Sequence, residues 1–162
     1  MTQMADLLIV YYSRSGNTKA MAEHVAAGAA EVAGLKADVR AVSETTPDDL
    51  LQADAVIIGS PVYYGTMAAD IKQLIDGSVC HHGKLDGKVG GAFASSGGLA
   101  GGNETTVLDI VKALMVHGMV VKGEPTGDHY GPVAVGAPDD RSQRECRKYG
   151  KMVGDLTQRL HG

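Results

Sequence analysis

Three times along this chain a short apolar run stops at a loop of small and hydroxyl-bearing residues, and a stretch with helical periodicity follows. Leu7-Leu8-Ile9-Val10-Tyr11 leads into Ser13-Arg14-Ser15-Gly16-Asn17-Thr18. Ala55-Val56-Ile57-Ile58 leads into Gly59-Ser60-Pro61, and the glycine-rich segment from Lys88 to Ala94 leads into Ser95-Ser96-Gly97-Gly98. Side chains alternate across a strand, so a run that is apolar at every position marks a strand buried on both faces. Such strands, each followed by a helix, build a parallel sheet with helices on both sides.

The rest of the chain fits that scheme. Met21, Ala22, Val25, Ala26, Ala29 and Val32 share one helical face, and Ala37 to Val42 reads as a second strand. Thr46-Pro47-Asp48-Asp49 is a helix start, with a hydroxyl cap, proline in the first turn and carboxylates near the positive end. Further helical faces carry Met67, Ile71, Leu74 and Ile75, then Val107, Ile110, Val111 and Leu114, then Tyr149, Met152, Val153, Leu156 and Leu160. Met119-Val120-Val121 and Val133-Ala134-Val135 read as two pieces of one fifth strand. Five strands alternating with five helices predict one α/β domain over residues 1–162.

Composition removes several classes of function. The 162 residues carry a net charge of -4 with acids and bases interspersed, which argues against nucleic acid as a partner. No apolar run suffices for membrane insertion, and no leader pattern opens the chain, so a cytoplasmic location is expected. Cys80 and Cys146 stand in no CxxC pattern and are expected to be free thiols; no spacing suggests zinc or an iron–sulfur cluster, so no metal is expected.

In an open parallel sheet, ligands bind beyond the carboxyl ends of the strands. The loops at residues 13–18, 60–66 and 95–102 all fall there. In the first, small residues let backbone N–H groups turn inward at the positive end of a helix, which suits a phosphate. Ser13, Ser15, Asn17 and Thr18 add side-chain donors, and Arg14 is expected to point to solvent. Simple helix capping is the competing reading of the same residues. Neither G-x-x-x-x-G-K-[ST] nor G-x-G-x-x-G follows the first strand, which disfavours a triphosphate or dinucleotide site.

Ser13 to Thr18 after Ile9-Val10-Tyr11-Tyr12 resembles the FMN-phosphate loop of the flavodoxin superfamily. Ser60-Pro61-Val62-Tyr63-Tyr64-Gly65-Thr66-Met67 is similar to its second, flavin-flanking loop. Within the superfamily, the likeness is greatest to the tryptophan-repressor-binding-protein group, the type IV NAD(P)H:quinone oxidoreductases. It rests on Ser95 to Glu104, His117-Gly118-Met119-Val120, Tyr130-Gly131-Pro132 and residues 136–150.

The resemblance implies a flavodoxin-like three-layer sandwich with a five-stranded parallel sheet in the order 2-1-3-4-5. It implies FMN as cofactor, NAD(P)H as reductant and a quinone or similar small acceptor. Residues 13–18 (Ser13, Arg14, Ser15, Gly16, Asn17 and Thr18) would hold the phosphate. Pro61, Val62, Tyr63, Tyr64 and Gly65 would flank the isoalloxazine, and Ser96, Gly97, Gly98, Leu99, Ala100 and Gly101 would meet the ring and ribityl chain. Tyr63, Tyr64 or Tyr130 would add an aromatic wall, with Tyr130 a further flavin-contact candidate, and Tyr63, His117 and His129 are the candidates for the substrate side. The family commonly has Arg-Phe-Gly-Asn where this chain has Tyr63-Tyr64-Gly65-Thr66, and two histidines where it has Val116-His117. The reading of His117 from its position is a charged residue at the negative end of a helix. A homodimer or homotetramer is implied as well. Two alternatives stay open: an electron carrier without its own activity, and an NAD(P)H-dependent FMN reductase.

Overall fold

The computed structural model describes residues 4–162. Its central sheet is built on β1 (Ala5–Tyr11), flanked by β2 (Leu35–Ala41) and β3 (Ala55–Tyr63), both parallel to it. On the other side of β3 lies β5 (Val89–Ser96), again parallel, with Ile57 opposite Gly91 and Pro61 opposite Ser95. Helices α1 (Asn17–Ala29), α2 (Pro47–Gln52), α3 (Ala69–Gly77), α4 (Asn103–Val116) and α5 (Asp140–His161) connect or follow the strands.

Strand alternation sorts the core into two layers. Leu7, Ile9, Ile57, Val89 and Phe93 pack under α1 and α5 with Met21, Val25, Tyr149 and Val153. Leu8, Val10, Val56, Ile58, Ala92 and Ala94 pack on the other face with Leu50, Ile71, Leu74, Val107, Ile110 and Leu114. Each fully buried Ile, Leu or Val contributes about 1.5–3 kcal/mol of transfer free energy. The layer of α1 and α5 is held close by two glycines: a Cβ on Gly28 would overlap the Arg147 carbonyl, and one on Gly150 would overlap that of Val25.

Among the described residues the sheet has seven strands, not the expected five, in the order β2-β1-β3-β5 and then a short sixth strand, β6 (Val120–Val121), with two strands off that path. The expected fifth strand is two separate pieces on the edge of β5. Strand β6 (Val120–Val121) lies beside Val89-Gly90, and β7 (Val133–Val135) lies beside Ala94 to Ser96. Between them the chain leaves the sheet. The Ala92 N–H there donates to the Tyr149 hydroxyl at 3.1 Å, and the Ala94 N–H goes to the Pro132 carbonyl at 3.0 Å. A side chain in the sheet gap thus replaces a strand. The remaining strand, β4 (Thr66–Met67), is only two residues long and folds back antiparallel on Val62 and Tyr63. Its brevity hid it from any periodicity.

Candidate functional site

All three glycine-rich loops emerge at the carboxyl end of the sheet, from the adjacent strands β1, β3 and β5. The first runs from β1 to α1. Gly16 takes the N-cap position with φ 96°, a left-handed conformation that favours glycine. No side chain caps α1 and no acidic residue stands in its first turn, so the capping reading of Ser13 to Thr18 is not the one adopted. Instead the Gly16 N–H donates to Ser13 Oγ at 3.0 Å, folding the loop on itself. Arg14, Ser15 and Gly16 are exposed, while Ser13 and Asn17 are half-buried. Thr18 turns inward: it is buried, and its hydroxyl lies 2.8 Å from Ser95 Oγ on β5.

The second loop is a tight hairpin. Val62 pairs with Met67 and Tyr63 with Thr66, leaving Tyr64 and Gly65 as the two turn residues, both at positive φ (49° and 78°). A two-residue turn with both residues left-handed matches the twist of antiparallel strands. Thr105 Oγ1 donates to the Gly65 carbonyl at 2.9 Å, and Thr66 Oγ1 donates to Asp109 Oδ2 at 2.7 Å, so α4 holds the hairpin in place. Tyr64 is thereby fixed at a fully exposed tip. Tyr63 packs edge-on against Tyr12 at 6.1 Å; partial burial and the neighbouring Tyr12 push its pKa up, which favours the protonated phenol. Behind the hairpin, Ser60 accepts the Ala68 N–H at 2.8 Å and so satisfies the start of α3.

In the third loop, Ser96 donates to the Gly98 carbonyl at 2.9 Å and accepts from Asn103 Nδ2 at 3.3 Å. Ala100 (φ 56°) and Gly102 (φ 101°) complete the bend into α4, which again has no side-chain cap. Leu99 projects into solvent at 91 % exposure. A Cβ added to Gly97 or Gly98 would meet nothing within 4 Å, as at Gly16. These glycines are therefore not small to accommodate the protein's own packing. The backbone of the loop instead faces open space, where a flat group can approach it.

Three candidate residues lie elsewhere. His117 is at the far end of α4, about 21 Å from the third loop at 1.5 Å per residue. It is 8 % exposed and bonds through Nε2 to Ser78 Oγ at 2.7 Å. It stands at the C-cap of α4 as its position suggested, but burial, then the neighbouring His82, lowers its pKa and so disfavours the charged form. His129 bonds through Nδ1 to the Glu124 carbonyl at 2.7 Å in the segment between β6 and β7. Tyr130, half-exposed, stacks edge-on with His129 and precedes Gly131, which crosses β5 at the Ala92 carbonyl, below the loop edge at Ser96. Among the described residues no hydrogen bond or ring contact joins either to the three loops.

Sequence reasoning missed four residues that shape the site: Tyr12 behind Tyr63, Ser95 under Thr18, Asn103 on Ser96, and Thr105 on the hairpin. Only Asn103 and Thr105, on the first turn of a helix after a glycine loop, left a signal. A cavity of about 620 Å³ also lies on the outer side of the third loop, lined by Leu99, Asn103, Val133, Val135, Arg141 and Ser142. Arg141 there is already spent on the fold, donating to Asp128 Oδ1 at 2.8 Å and to the Val133 carbonyl at 3.2 Å. Among the described residues no three His, Cys, Asp or Glu side chains are grouped to hold a metal ion, and no helix is long and apolar enough to cross a membrane. Cys80 and Cys146 are free, and burial pushes the Cys146 thiol up to about 12.

Comparison with known proteins agrees with this geometry. Residues 36–127 match the NADPH-dependent FMN reductase family. A flavodoxin of Aquifex aeolicus is 38% identical over 94% of this chain and 86% of its own length. An NAD(P)H dehydrogenase (quinone) of Archaeoglobus fulgidus is 31% identical over 97% of this chain and all of its own. Among solved structures, a WrbA-like flavodoxin from Agrobacterium tumefaciens superposes with a TM-score of 0.82 at 27% identity, covering 96% of this chain and 99% of that one. The chain belongs to the NADPH-dependent FMN reductase family, in the tryptophan-repressor-binding-protein group of the flavodoxin superfamily.

Proposed function

We propose that this protein is an FMN-dependent oxidoreductase that takes two electrons from NAD(P)H and delivers them to a quinone, with residues 1–162 acting as one FMN-binding domain. The observation that carries the reading is the open carboxyl edge of the sheet: an uncapped α1 behind Gly16, and a third loop whose Gly97 and Gly98 face unfilled space. FMN, when bound, supplies the hydride and electron chemistry, so no catalytic triad is required.

The protein's own residues then have definite tasks. Ser13, Ser15, Asn17, Thr18 and the first-turn N–H groups of α1 bind the phosphate, the positive end of the helix offsetting its charge. Pro61 to Gly65 flank one side of the ring, and the hairpin's two bonds to α4 keep that wall from moving. Ser96 to Gly101 bring backbone to the other side, with Ser96 fixing the bend. Tyr64 and Leu99, exposed at the tips of the two loops, form an apolar rim suited to an uncharged aromatic acceptor. Relatives named NAD(P)H dehydrogenase (quinone) support the choice of acceptor.

The test is to load the protein with FMN and follow NADH or NADPH oxidation with benzoquinone as acceptor. Turnover that depends on both FMN and the quinone is expected. A second reading has a specific observation behind it: the relative at 38% identity is named a flavodoxin. Tight FMN binding without quinone-dependent turnover would establish that carrier reading and end the enzyme one. Action in the cytoplasm, which the free thiols favour, belongs to the same proposal. So does self-association as a homodimer or homotetramer, favoured by Val79, Met115 and Val116 exposed together near the far end of α4.

A further inference from the structure

The buried contact between Thr18 and Ser95 is unusual in its hydrogen count. Ser95 lies on the same face of β5 as Phe93, where every deeper residue packs against α1 and α5. At the level of the first turn of α1 that apolar face ends in a hydroxyl, 5 % exposed, opposite the hydroxyl of Thr18, 1 % exposed. The two oxygens are 2.8 Å apart and either can donate. Two hydroxyls own two hydrogens, and their mutual bond uses one. One O–H is therefore left without an acceptor in a buried position, which costs free energy unless something accepts it.

The place where it is left is informative. Thr18 is the second residue of α1, whose N-terminus has neither a side-chain cap nor an acidic residue, and which follows Gly16 in its left-handed turn. A spare hydroxyl hydrogen and uncapped N–H groups at one helix end are complementary to an anion with several acceptor oxygens.

Resting on the reading of the first loop as the FMN-phosphate site, we propose that Ser95 is a positioning residue for that phosphate. Its hydroxyl donates to Thr18 Oγ1 and so commits the Thr18 hydrogen to the phosphate oxygen. Ser95 itself does not touch the phosphate. Without it, Thr18 turns its hydrogen among other acceptors and loses its rotational restraint.

The experiment compares the affinities of the purified full chain for FMN and for riboflavin, which shares the ring and lacks the phosphate. Wild type, S95A, S95T, T18V and the S95A/T18V double variant are titrated by quenching of flavin fluorescence. Loss of one restrained hydrogen bond to a charged group predicts that S95A binds FMN about five- to tenfold more weakly. S95A should bind riboflavin as wild type does, and S95T, which keeps the hydroxyl, should bind FMN as wild type does. Because Ser95 acts through Thr18, the double variant should be no weaker than T18V. Unchanged FMN affinity in S95A, equal weakening for FMN and riboflavin, or a full additional loss in the double variant overturns the proposal. If wild type binds riboflavin as tightly as FMN, the phosphate site itself is misplaced and the proposal goes with it. That failure is distinct from a wild type that discriminates and an S95A that discriminates equally well.

Discussion

Helices that begin at the three loops and helices that begin elsewhere along the same sheet edge are built differently. The start of α2 has a full capping box, in which Thr46 and Asp49 satisfy each other's backbone N–H, with Pro47 in the first turn. The start of α5 is capped by Asp139, which accepts from the Ser142 N–H at 2.8 Å. By contrast, α1 and α4 begin at glycines with no side-chain cap. Capping is worth about 1 kcal/mol, so the chain forgoes that stability at α1, whereas inside the first turn of α4 Asn103 Oδ1 accepts the Glu104 N–H at 2.9 Å. The positive end left open at α1 is the one that faces the proposed FMN phosphate site.

Glycines divide in the same way, and they give the largest expected effects. Gly28 and Gly150 are filled positions, where any side chain would strike the backbone of the opposing helix. Gly150→Val should force α1 and α5 apart and destabilise the protein by about 3 kcal/mol or more, read in a urea unfolding curve. Gly97 and Gly98 are open positions at ordinary φ. Gly97→Val should leave the unfolding midpoint within the range of a neutral surface change, while FMN affinity falls by about a hundredfold because the new side chain occupies ligand space. A Gly97→Val protein that unfolds early would erase the distinction between the two sets.

Smaller, crossed effects are expected at the helix starts. Ser15→Asp places a carboxylate beside the bare end of α1, where it should stabilise the FMN-free protein by about 0.3–1 kcal/mol. The same charge repels the phosphate, so FMN affinity should fall at least about tenfold. At the capped helix, Thr46→Ala should cost about 1 kcal/mol and leave FMN affinity as it was. Thermal unfolding with and without FMN separates the two. Should Ser15→Asp bind FMN normally, the open end of α1 is not a phosphate site.

The parallel sheet, both core layers and the three loops were legible because their signals are local: an apolar run, a helical face, a cluster of small residues. Even the divided fifth strand showed in the separation of Val120 from Val133. What escaped was set by distance along the chain. The two-residue β4 has no period to read, and Thr105 and Asp109, some 40 residues on, hold its hairpin. Ser95 and Thr18 meet across 77 residues, and nothing in either loop announces the pairing. His117 is a related case. Its neighbour sequence matched a family pattern, but α4 carries it to the opposite end of the sheet, onto Ser78.

That far end of α4 completes the contrast, since several of its polar groups bond to each other. His117 donates from Nε2 to Ser78 Oγ, which itself donates to the Ile75 carbonyl at 2.6 Å. Nδ1 of His117 is buried without a partner, His82 lies with its ring 5.9 Å away, and His81 is bonded to Asp48. Burial first and His82 second lower the His117 pKa in the folded state, whereas in the unfolded chain the group titrates near 6.5. As pH falls through about 6.5, the unfolded state therefore takes up a proton that the folded state refuses. Stability is full above that pH and declines below it, by at most ~1.4 kcal/mol per pH unit, until the lower folded pKa is reached. The carboxylates whose pKa is held down, Asp49, Asp109 and Asp139 among them, act in the opposite arm of the curve, at more acid pH. Urea unfolding between pH 7.5 and 5.5 should thus show a slope that His117→Gln, which keeps a donor for Ser78, removes. FMN affinity at neutral pH should not change with that substitution. A shift in it would mean that the two ends of α4 are coupled.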